Sequence, residues 1–142
     1  MKTGSIFFFI FLLVFRKTEA QDLETREVPS AVKSALQSKY PEAKVVKWEK
    51  EKGNFEANWG GKSGEDNSVQ FTPAGQFIEI VKAIPVNELP KAVKSYVKDH
   101  FNNAKISEAG RVTDAKGKIF FEAEIHGKDL IFDSNGDFLK ND

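Results

Sequence analysis

A ten-residue segment occurs twice in this chain, and the repeat limits the possible folds more than any other feature. EVPSAVKSAL at 27–36 returns as ELPKAVKSYV at 88–97, with six of ten residues identical at a constant offset of 61 positions. Two copies of one unit account for most of a chain of 142 residues. We therefore predict a tandem architecture built from two similar units.

Each copy begins with a segment that has the pattern of an amphipathic helix. Apolar residues recur every three or four positions across residues 28–40 and again across residues 89–101. Pro29 and Pro90 stand at the first turn, where the missing N–H of proline has no cost. The pattern predicts two helices of about three turns each.

After each helix the pattern changes to the alternation that is typical of strands. Apolar and polar side chains alternate across residues 55–59 in the first copy and across 119–125 in the second. Each copy ends on a hairpin-like segment, VQFTPAGQFI at 69–78 and LIFDSNGDFL at 130–139, in which a glycine-containing turn separates two apolar runs. We predict four antiparallel strands after each helix.

These elements predict an α+β fold with two tandem repeats, residues 26–82 and 87–141. A four-stranded sheet needs a cover on its apolar face, and the helix of the same copy supplies it. The connection at 81–88 is short and contains one proline. We therefore expect the copies to lie side by side as one continuous eight-stranded sheet with both helices on one face.

Two tryptophans lie on either side of the first predicted turn. If that turn consists of Gly53 and Asn54, Trp48 and Trp59 face each other across the hairpin. Trp59 has the strand parity of Ala57, an apolar residue of the predicted core face. A core pair is therefore favoured over an aromatic platform for a ligand.

The first twenty residues have the layout of a secretory signal peptide. Lys2 precedes an uncharged apolar run at 6–15, and the small residues Thr18 and Ala20 stand three before and one before a possible cleavage site after Ala20. The run is shorter than the ~20 residues of a membrane span. Arg16 and Lys17 after the run are unusual and leave open an uncleaved anchor. Export to the periplasm or the cell exterior is predicted.

Composition excludes several classes of partner. The chain has 21 basic and 21 acidic residues, so it carries no electrostatic signal for nucleic acid or an anionic membrane surface. It contains no cysteine, which excludes disulfides and a lipid anchor on cysteine. An exported protein without disulfides fits a bacterial envelope better than a small animal secretory scaffold.

The side chains that could carry chemistry do not form a recognisable catalytic or metal site. The trio Glu122, Glu124 and His126 spans ~13 Å along one strand face and does not converge on one ion. A calcium loop beginning at Asp133 would need glycine where Phe138 stands and a glutamate beyond the end of the chain. We predict no catalytic residues, no metal, no cofactor and no enzymatic activity.

With the repeat in place, the sequence resembles the PepSY-like family of secreted bacterial proteins, also described as β-lactamase-inhibitor-like. The resemblance rests on VPSAVKSALQSKYPEAKVVKW at 28–48, the shared Phe-Glu-Ala at 55–57 and 121–123, and VQFTPAGQFIEI at 69–80. It implies a tandem α+β architecture similar to β-lactamase inhibitory protein, export across the inner membrane, and no assigned enzyme activity. The resemblance also implies a link to the related PepSY domains, which inhibit or modulate peptidases as parts of propeptides.

The sheet face away from the helices is the candidate site for a partner. If alternate residues of 119–125 pack on the helices, the remaining ones point outward. The candidate residues are Phe120, Glu122, Glu124, His126 and, by the same parity, Ile131. Two outward apolar residues among polar ones suit a surface that meets another protein. The alternative is a solvated face on which Phe120 and Ile131 cover each other.

The sequence thus predicts an exported, non-enzymatic module that binds a protein in the cell envelope. An inhibitor or modulator of a periplasmic or secreted enzyme is the sharpest version of this hypothesis. The alternative is an envelope binding protein for a small ligand or peptide, which would use a groove between the two copies.

Overall fold

Nine strands form a single antiparallel sheet in the computed structural model, which describes residues 20–141. Each strand pairs with the next one along the chain. The predicted signal peptide lies outside the described residues apart from Ala20. The strands are β1 Gln21–Leu23, β2 Lys47–Glu51, β3 Asn54–Trp59, β4 Asn67–Phe71, β5 Phe77–Ala83, β6 Glu108–Asp114, β7 Ile119–Ile125, β8 Lys128–Asp133 and β9 Phe138–Asn141.

The two helices occupy equivalent positions in the two copies. α1 Ser30–Lys39 is followed by β2–β5, and α2 Lys91–His100 is followed by β6–β9. A short 3-10 turn precedes each helix, at Thr25–Glu27 and Val86–Glu88, with the same spacing. The predicted α+β fold with two tandem repeats is confirmed. Among the described residues, no helix has the length and apolar character of a membrane span.

Both helices cover the same face of the sheet. Each helix buries its apolar stripe against the strands of its own copy. Ile80 of the α1 core pairs with Thr113, and the alternation along β6 puts Ala109 of the α2 core on the side of Thr113. The buried helix residues are Val32, Leu36, Val93 and Val97.

The sequence predicts eight strands, and β1 is a ninth. Leu23 of β1 lies opposite Trp48 of β2, and Lys47 Nζ lies 3.6 Å from Asp22 Oδ1. A segment of three residues is too short to show a hydrophobic period. It pairs because the edge of β2 presents unpaired backbone donors and acceptors.

The first hairpin turns one residue earlier than the sequence suggests. Glu51 pairs with Asn54, so the turn consists of Lys52 and Gly53, both with positive φ. Trp48 therefore lies opposite Ala57 and not opposite Trp59. The predicted pairing of the two tryptophans is therefore wrong, because a one-residue shift of the turn changes the partner of every residue in the hairpin. Both tryptophans are nevertheless buried in the α1 core.

One hairpin turn in each copy lies against the start of its helix. Gly75 in the β4–β5 turn has a φ of +80°, and a Cβ there would lie 2.6 Å from the carbonyl oxygen of Ala31. Gly136 in the β8–β9 turn has a φ of +88°, and its Cβ would lie 3.0 Å from both Pro90 Cβ and Ala92 Cβ. The missing side chains let each hairpin close onto its helix.

Candidate binding site

The face of the sheet opposite α1 and α2, called the open face below, carries four of the five residues proposed from the sequence. Phe120, Glu122 and Glu124 alternate along β7 with residues of the α2 core. Glu122 pairs with Ile131 of β8, which therefore shares the open face. In β3–β8 the residues of this face include Glu56, Asn58, Ser68, Gln70, Glu79, Val81, Glu108, Gly110, Val112, Phe120, Glu122, Glu124, Asp129 and Ile131.

His126 lies apart from these residues. β7 ends at Ile125, and His126 and Gly127 form the turn to β8 with φ values of 53° and 72°. Two successive residues of positive φ are typical of the tightest hairpin turns. The alternation that places Glu122 and Glu124 on the open face therefore stops before His126, which is exposed in the turn.

The apolar residues of the open face are buried. Phe120 and Ile131 are both 0% exposed, whereas the sequence suggests isolated apolar residues on an accessible surface. Phe120 packs with Val81 and Val112 in a third core cluster, and Lys118 Nζ lies 4.9 Å from its ring centroid. The difference arises because side chains on neighbouring strands stand ~5 Å apart and shield one another, which the pattern of a single strand does not show.

A hydrogen-bonded group surrounds Glu56 on the first copy's part of the open face. Ser68 Oγ lies 2.7 Å from Glu56 Oε1 and also hydrogen-bonds to Asn58 Oδ1, while Gln70 Nε2 donates to Glu56 Oε2. Burial raises the pKa of Glu56 to about 7, although these hydrogen bonds act in the opposite direction. The single hydroxyl proton of Ser68 cannot serve both acceptors. Two arrangements satisfy both contacts: a protonated Glu56 that donates to Ser68, or an Asn58 amide turned so that its Nδ2 donates to Ser68.

Glu122 is a buried carboxyl that makes no hydrogen bond to the part of the chain that the structure describes. It is 3% exposed, and neither of its oxygens has a hydrogen-bond partner among the described residues. Burial raises its pKa well above the ordinary value, and nearby carboxyls add to the shift. Those carboxyls belong, in decreasing order of effect, to Asp129, Glu79, Glu56 and Glu124. Such a group is stable only when it is protonated or when it meets a positive charge.

A glycine makes room for this carboxyl. Gly110 of β6 pairs directly with Glu122. A Cβ at position 110 would lie 3.3 Å from Glu122 Oε2 and 2.9 Å from Val81 Cγ1. The φ of Gly110 is not in the left-handed region, so the backbone conformation does not require glycine here. The missing side chain instead leaves room for the Glu122 carboxyl.

A pocket of about 360 Å³ opens at this end of the open face, where the two copies meet. Its floor is formed by β4–β8, and its rim by the β3–β4 loop and the connection at 84–86. We call it the acidic pocket below. The acidic residues that line it are Glu65, Asp66, Glu108, Glu122, Glu124 and Asp129. None of the described residues lining it is a lysine or arginine. Lys47, beside the rim, lies 2.8 Å from Glu49 and 4.0 Å from Glu65.

The remaining carboxyls of the pocket differ in their surroundings. Ser107 Oγ donates to Glu124 Oε1 at 2.7 Å. Burial, with the nearby carboxyls of Glu124 and Glu65, raises the pKa of Glu108. No group of three or more His, Asp or Glu side chains within residues 20–141 has an arrangement that could hold a metal ion. The pocket therefore offers distributed negative charge and not a compact ligand set.

Sequence reasoning missed the acidic residues outside β7. Glu56 and Glu122 are the central residues of the two Phe-Glu-Ala motifs, so the motif itself places one glutamate on the open face in each copy. The repeated motif could therefore have identified both glutamates from the sequence. Gly110 and Asp129 could not be assigned, because their relation to Glu122 depends on the register of three strands.

The fold defines a class of tandem-repeat α+β proteins with a helix and four strands in each copy. The family model described as "Putative beta-lactamase-inhibitor-like, PepSY-like" matches residues 15–59 and 60–140. The chain belongs to this family, which confirms the resemblance found in the sequence.

Solved structures with the same fold come from Bacteroides species. A protein from Bacteroides eggerthii, described as "putative periplasmic", superposes with a TM-score of 0.69 at 20% identity over 81% of this chain and 88% of that chain. A BLIP-like protein from Bacteroides fragilis superposes with a TM-score of 0.58 at 23% identity over 80% and 85%. These likenesses support the fold. The search of curated protein sequences finds no match to this chain.

Proposed function

We propose that the chain is an exported, non-enzymatic module of the cell envelope that binds a protein partner through the open face. The observation that carries the proposal is Glu122, a buried carboxyl with no hydrogen-bond partner among the described residues. Burying an unpaired carboxyl costs stability, and a positively charged partner would offset that cost. A positively charged partner would therefore stabilise the folded chain.

Export is supported by two observations. The first twenty residues have the layout of a signal peptide, and the similar protein of Bacteroides eggerthii is described as periplasmic. The family description, β-lactamase-inhibitor-like, supports a sharper form of the proposal in which the partner is an enzyme that the chain inhibits or modulates.

The positions of the two histidines support a non-enzymatic role. His100 stacks on Tyr96 of α2 at 4.0 Å between ring centroids, and His126 lies in the β7–β8 turn. Neither lines the acidic pocket. Among the described residues, the open face therefore carries no histidine, the side chain that most often serves as a general acid or base.

A second candidate function is the binding of a small ligand or peptide. The acidic pocket lies at the junction of the two copies and has the volume of a small-molecule site. In this version the pocket, and not the wider open face, supplies the affinity.

The experiment is an affinity capture of envelope proteins from the producing bacterium with two charge-reversal variants. Glu124 lies on the open face, and Asp99 is an exposed acid on α2 at the opposite side of the sheet. We expect Glu124→Lys to weaken binding of the captured partner at least tenfold, because it replaces a carboxylate of the acidic pocket with a positive charge. Asp99→Lys is the matched control and should bind within twofold of the wild type.

The outcome distinguishes the candidates. A partner that binds Glu124→Lys as tightly as the wild type would exclude the open face as the interface. If no protein is retained but a small-molecule fraction of the envelope raises the Tm of the wild type and not of Glu124→Lys, the second candidate is favoured. Circular dichroism of both variants shows that the fold is intact.

A further inference from the structure

The acidic pocket combines an enclosed volume with a single sign of charge. Six carboxyls line it, from the β3–β4 loop and from β6, β7 and β8. Opposing strands bring several of them face to face, since Glu108 pairs with Glu124 and Glu124 pairs with Asp129. Like charges placed directly opposite each other on a sheet are destabilising. This arrangement is therefore unfavourable for the chain alone.

The buried carboxyl of Glu122 points to a ligand independently of the clustered charges. Both of its oxygens lack hydrogen bonds among the described residues, and it is 3% exposed. The carboxyl lines the pocket and lies over Gly110, where no side chain competes for the space. Two acceptor oxygens side by side match a donor group that presents two N–H bonds in one plane.

The size and walls of the pocket select among cations. About 360 Å³ is far larger than a single metal ion needs, and the described residues offer no compact metal-binding group. Val81, Ala83 and Val86 provide apolar wall beside the acids. An elongated organic cation would pack its methylene stem on this wall and direct its charged end to the carboxyls.

We propose that the acidic pocket binds an organic cation, an ammonium or guanidinium group on an aliphatic stem, with Glu122 as its principal acceptor. This inference rests on the proposed function and names the chemistry that the open face recognises. The cation is either a lysine or arginine side chain of the protein partner or a free amine, and the two sources share the same recognition.

Binding of a cation is expected to release protons. Glu108 of β6 pairs with Glu124, and the carboxyls that act directly on Glu122 are, in decreasing order of effect, those of Asp129, Glu79, Glu56 and Glu124. Burial and these carboxyls favour the protonated form of Glu122 in the free protein. A bound cation favours the ionised form, so affinity should rise as pH rises and protons should leave on binding.

The test is isothermal titration calorimetry of the purified exported protein with butylguanidinium and with butylurea, its neutral isostere. We expect butylguanidinium to bind and butylurea not to bind. We expect Glu122→Gln to weaken butylguanidinium at least tenfold and to abolish the dependence of the measured enthalpy on the buffer's ionisation enthalpy. Glu88→Gln removes an exposed carboxyl outside the pocket and should behave as the wild type.

A second pair of probes identifies the source of the cation. The peptide acetyl-Gly-Arg-Gly-amide and its citrulline counterpart carry the same groups on a backbone. Tighter binding of the arginine peptide than of butylguanidinium indicates a protein side chain, and the reverse indicates a free small organic cation.

Equal binding of butylurea and butylguanidinium, unchanged affinity in Glu122→Gln, or binding of Ca²⁺ with no binding of either guanidinium probe would overturn the inference. Glu124→Gln, at the same pocket, repeats the test should Glu122→Gln alter folding. If butylguanidinium does not bind but Glu124→Lys still weakens binding of the captured partner, the organic cation is rejected and the proposed function stands. If Glu124→Lys binds the captured partner as tightly as the wild type, the proposed function is rejected.

Discussion

At the scale of single residues, the open face is governed by glutamates at corresponding positions of the two copies. Glu56 and Glu122 are the central residues of the two Phe-Glu-Ala motifs, yet their surroundings differ. Glu56 is held by Ser68 and Gln70, whereas neither oxygen of Glu122 has a hydrogen-bond partner among the described residues. These hydrogen bonds satisfy Glu56, whereas Glu122 is the group that we propose to bind a cation.

The raised pKa of Glu56 has a consequence for stability. Its folded pKa of about 7 exceeds the ordinary value of 4.5, so the folded state binds its proton more tightly than the unfolded state. Its contribution to stability is present below pH 4.5 and is lost as pH rises through 7. The loss is about 3 kcal/mol, from 1.36 kcal/mol for each pKa unit.

We therefore expect Glu56→Gln to flatten the decrease in the free energy of unfolding between pH 4.5 and 7.5. Urea denaturation across this range measures it. Glu88→Gln, at an exposed position, should retain the slope of the wild type. An unchanged slope in Glu56→Gln would show that Glu56 does not titrate in this window.

Residue parity could be predicted from the sequence, but burial could not. The alternation across residues 119–125 places Phe120 and Glu122 on the face opposite the helices, as the structure has them. Their burial depends on Val81 and Val112 of neighbouring strands. The sequence of one strand does not contain that information, because it comes from the register between strands.

At the scale of elements, each copy joins its last hairpin to its helix through a glycine. Gly75 and Gly136 occupy equivalent turns, and both lie against the first turn of a helix. The sequence predicts the helices and hairpins well, because proline and glycine mark their ends locally. It misplaces the β2–β3 turn by one residue, since Lys52-Gly53 and Gly53-Asn54 are both acceptable turn sequences.

We expect Gly75→Ala to destabilise the protein more than Gly53→Ala. Both positions have positive φ, at +80° and +85°, so both variants lose ~1 kcal/mol for the backbone conformation. Only Gly75 meets a neighbour, the Ala31 carbonyl oxygen at 2.6 Å, while a Cβ at Gly53 has nothing within 4 Å.

The difference in unfolding free energy between these two variants should be at least ~1 kcal/mol, the lower end of the cost of overpacking. Thermal and urea denaturation of both variants measure it. Equal destabilisation would mean that the hairpin and the helix move apart without cost.

At the scale of the whole molecule, the two copies form one sheet. β5 of the first copy pairs with β6 of the second, and Val81 and Val112 pack across this junction with Phe120. The internal repeat predicts this architecture because each copy alone leaves an unpaired strand edge. β1 lies before the first predicted copy, but the offset of 61 relates its pairs Gln21–Lys50 and Asp22–Glu49 to Lys82–Arg111 and Ala83–Gly110. β1 is therefore the counterpart of the end of β5.

We expect the copies to unfold together. Val112→Ala, at a residue that is 0% exposed, should lower the unfolding free energy by about 2 kcal/mol in a single transition. Val45→Ala is the matched control, because Val45 is 89% exposed, and it should change stability by less than ~0.5 kcal/mol.

Calorimetry is the measurement, with the calorimetric and van't Hoff enthalpies compared. Two separate transitions, with only one of them shifted by Val112→Ala, would show that the copies are independent domains.

The central claim is that both copies jointly build a binding site on the open face at their junction. An amide NMR titration of the wild-type protein with butylguanidinium tests it most directly. We expect shifts in both copies, at Ser68 and Val81 of the first and at Gly110 and Glu122 of the second, with α1 and α2 unaffected. Shifts confined to one copy or to the helices would contradict the account.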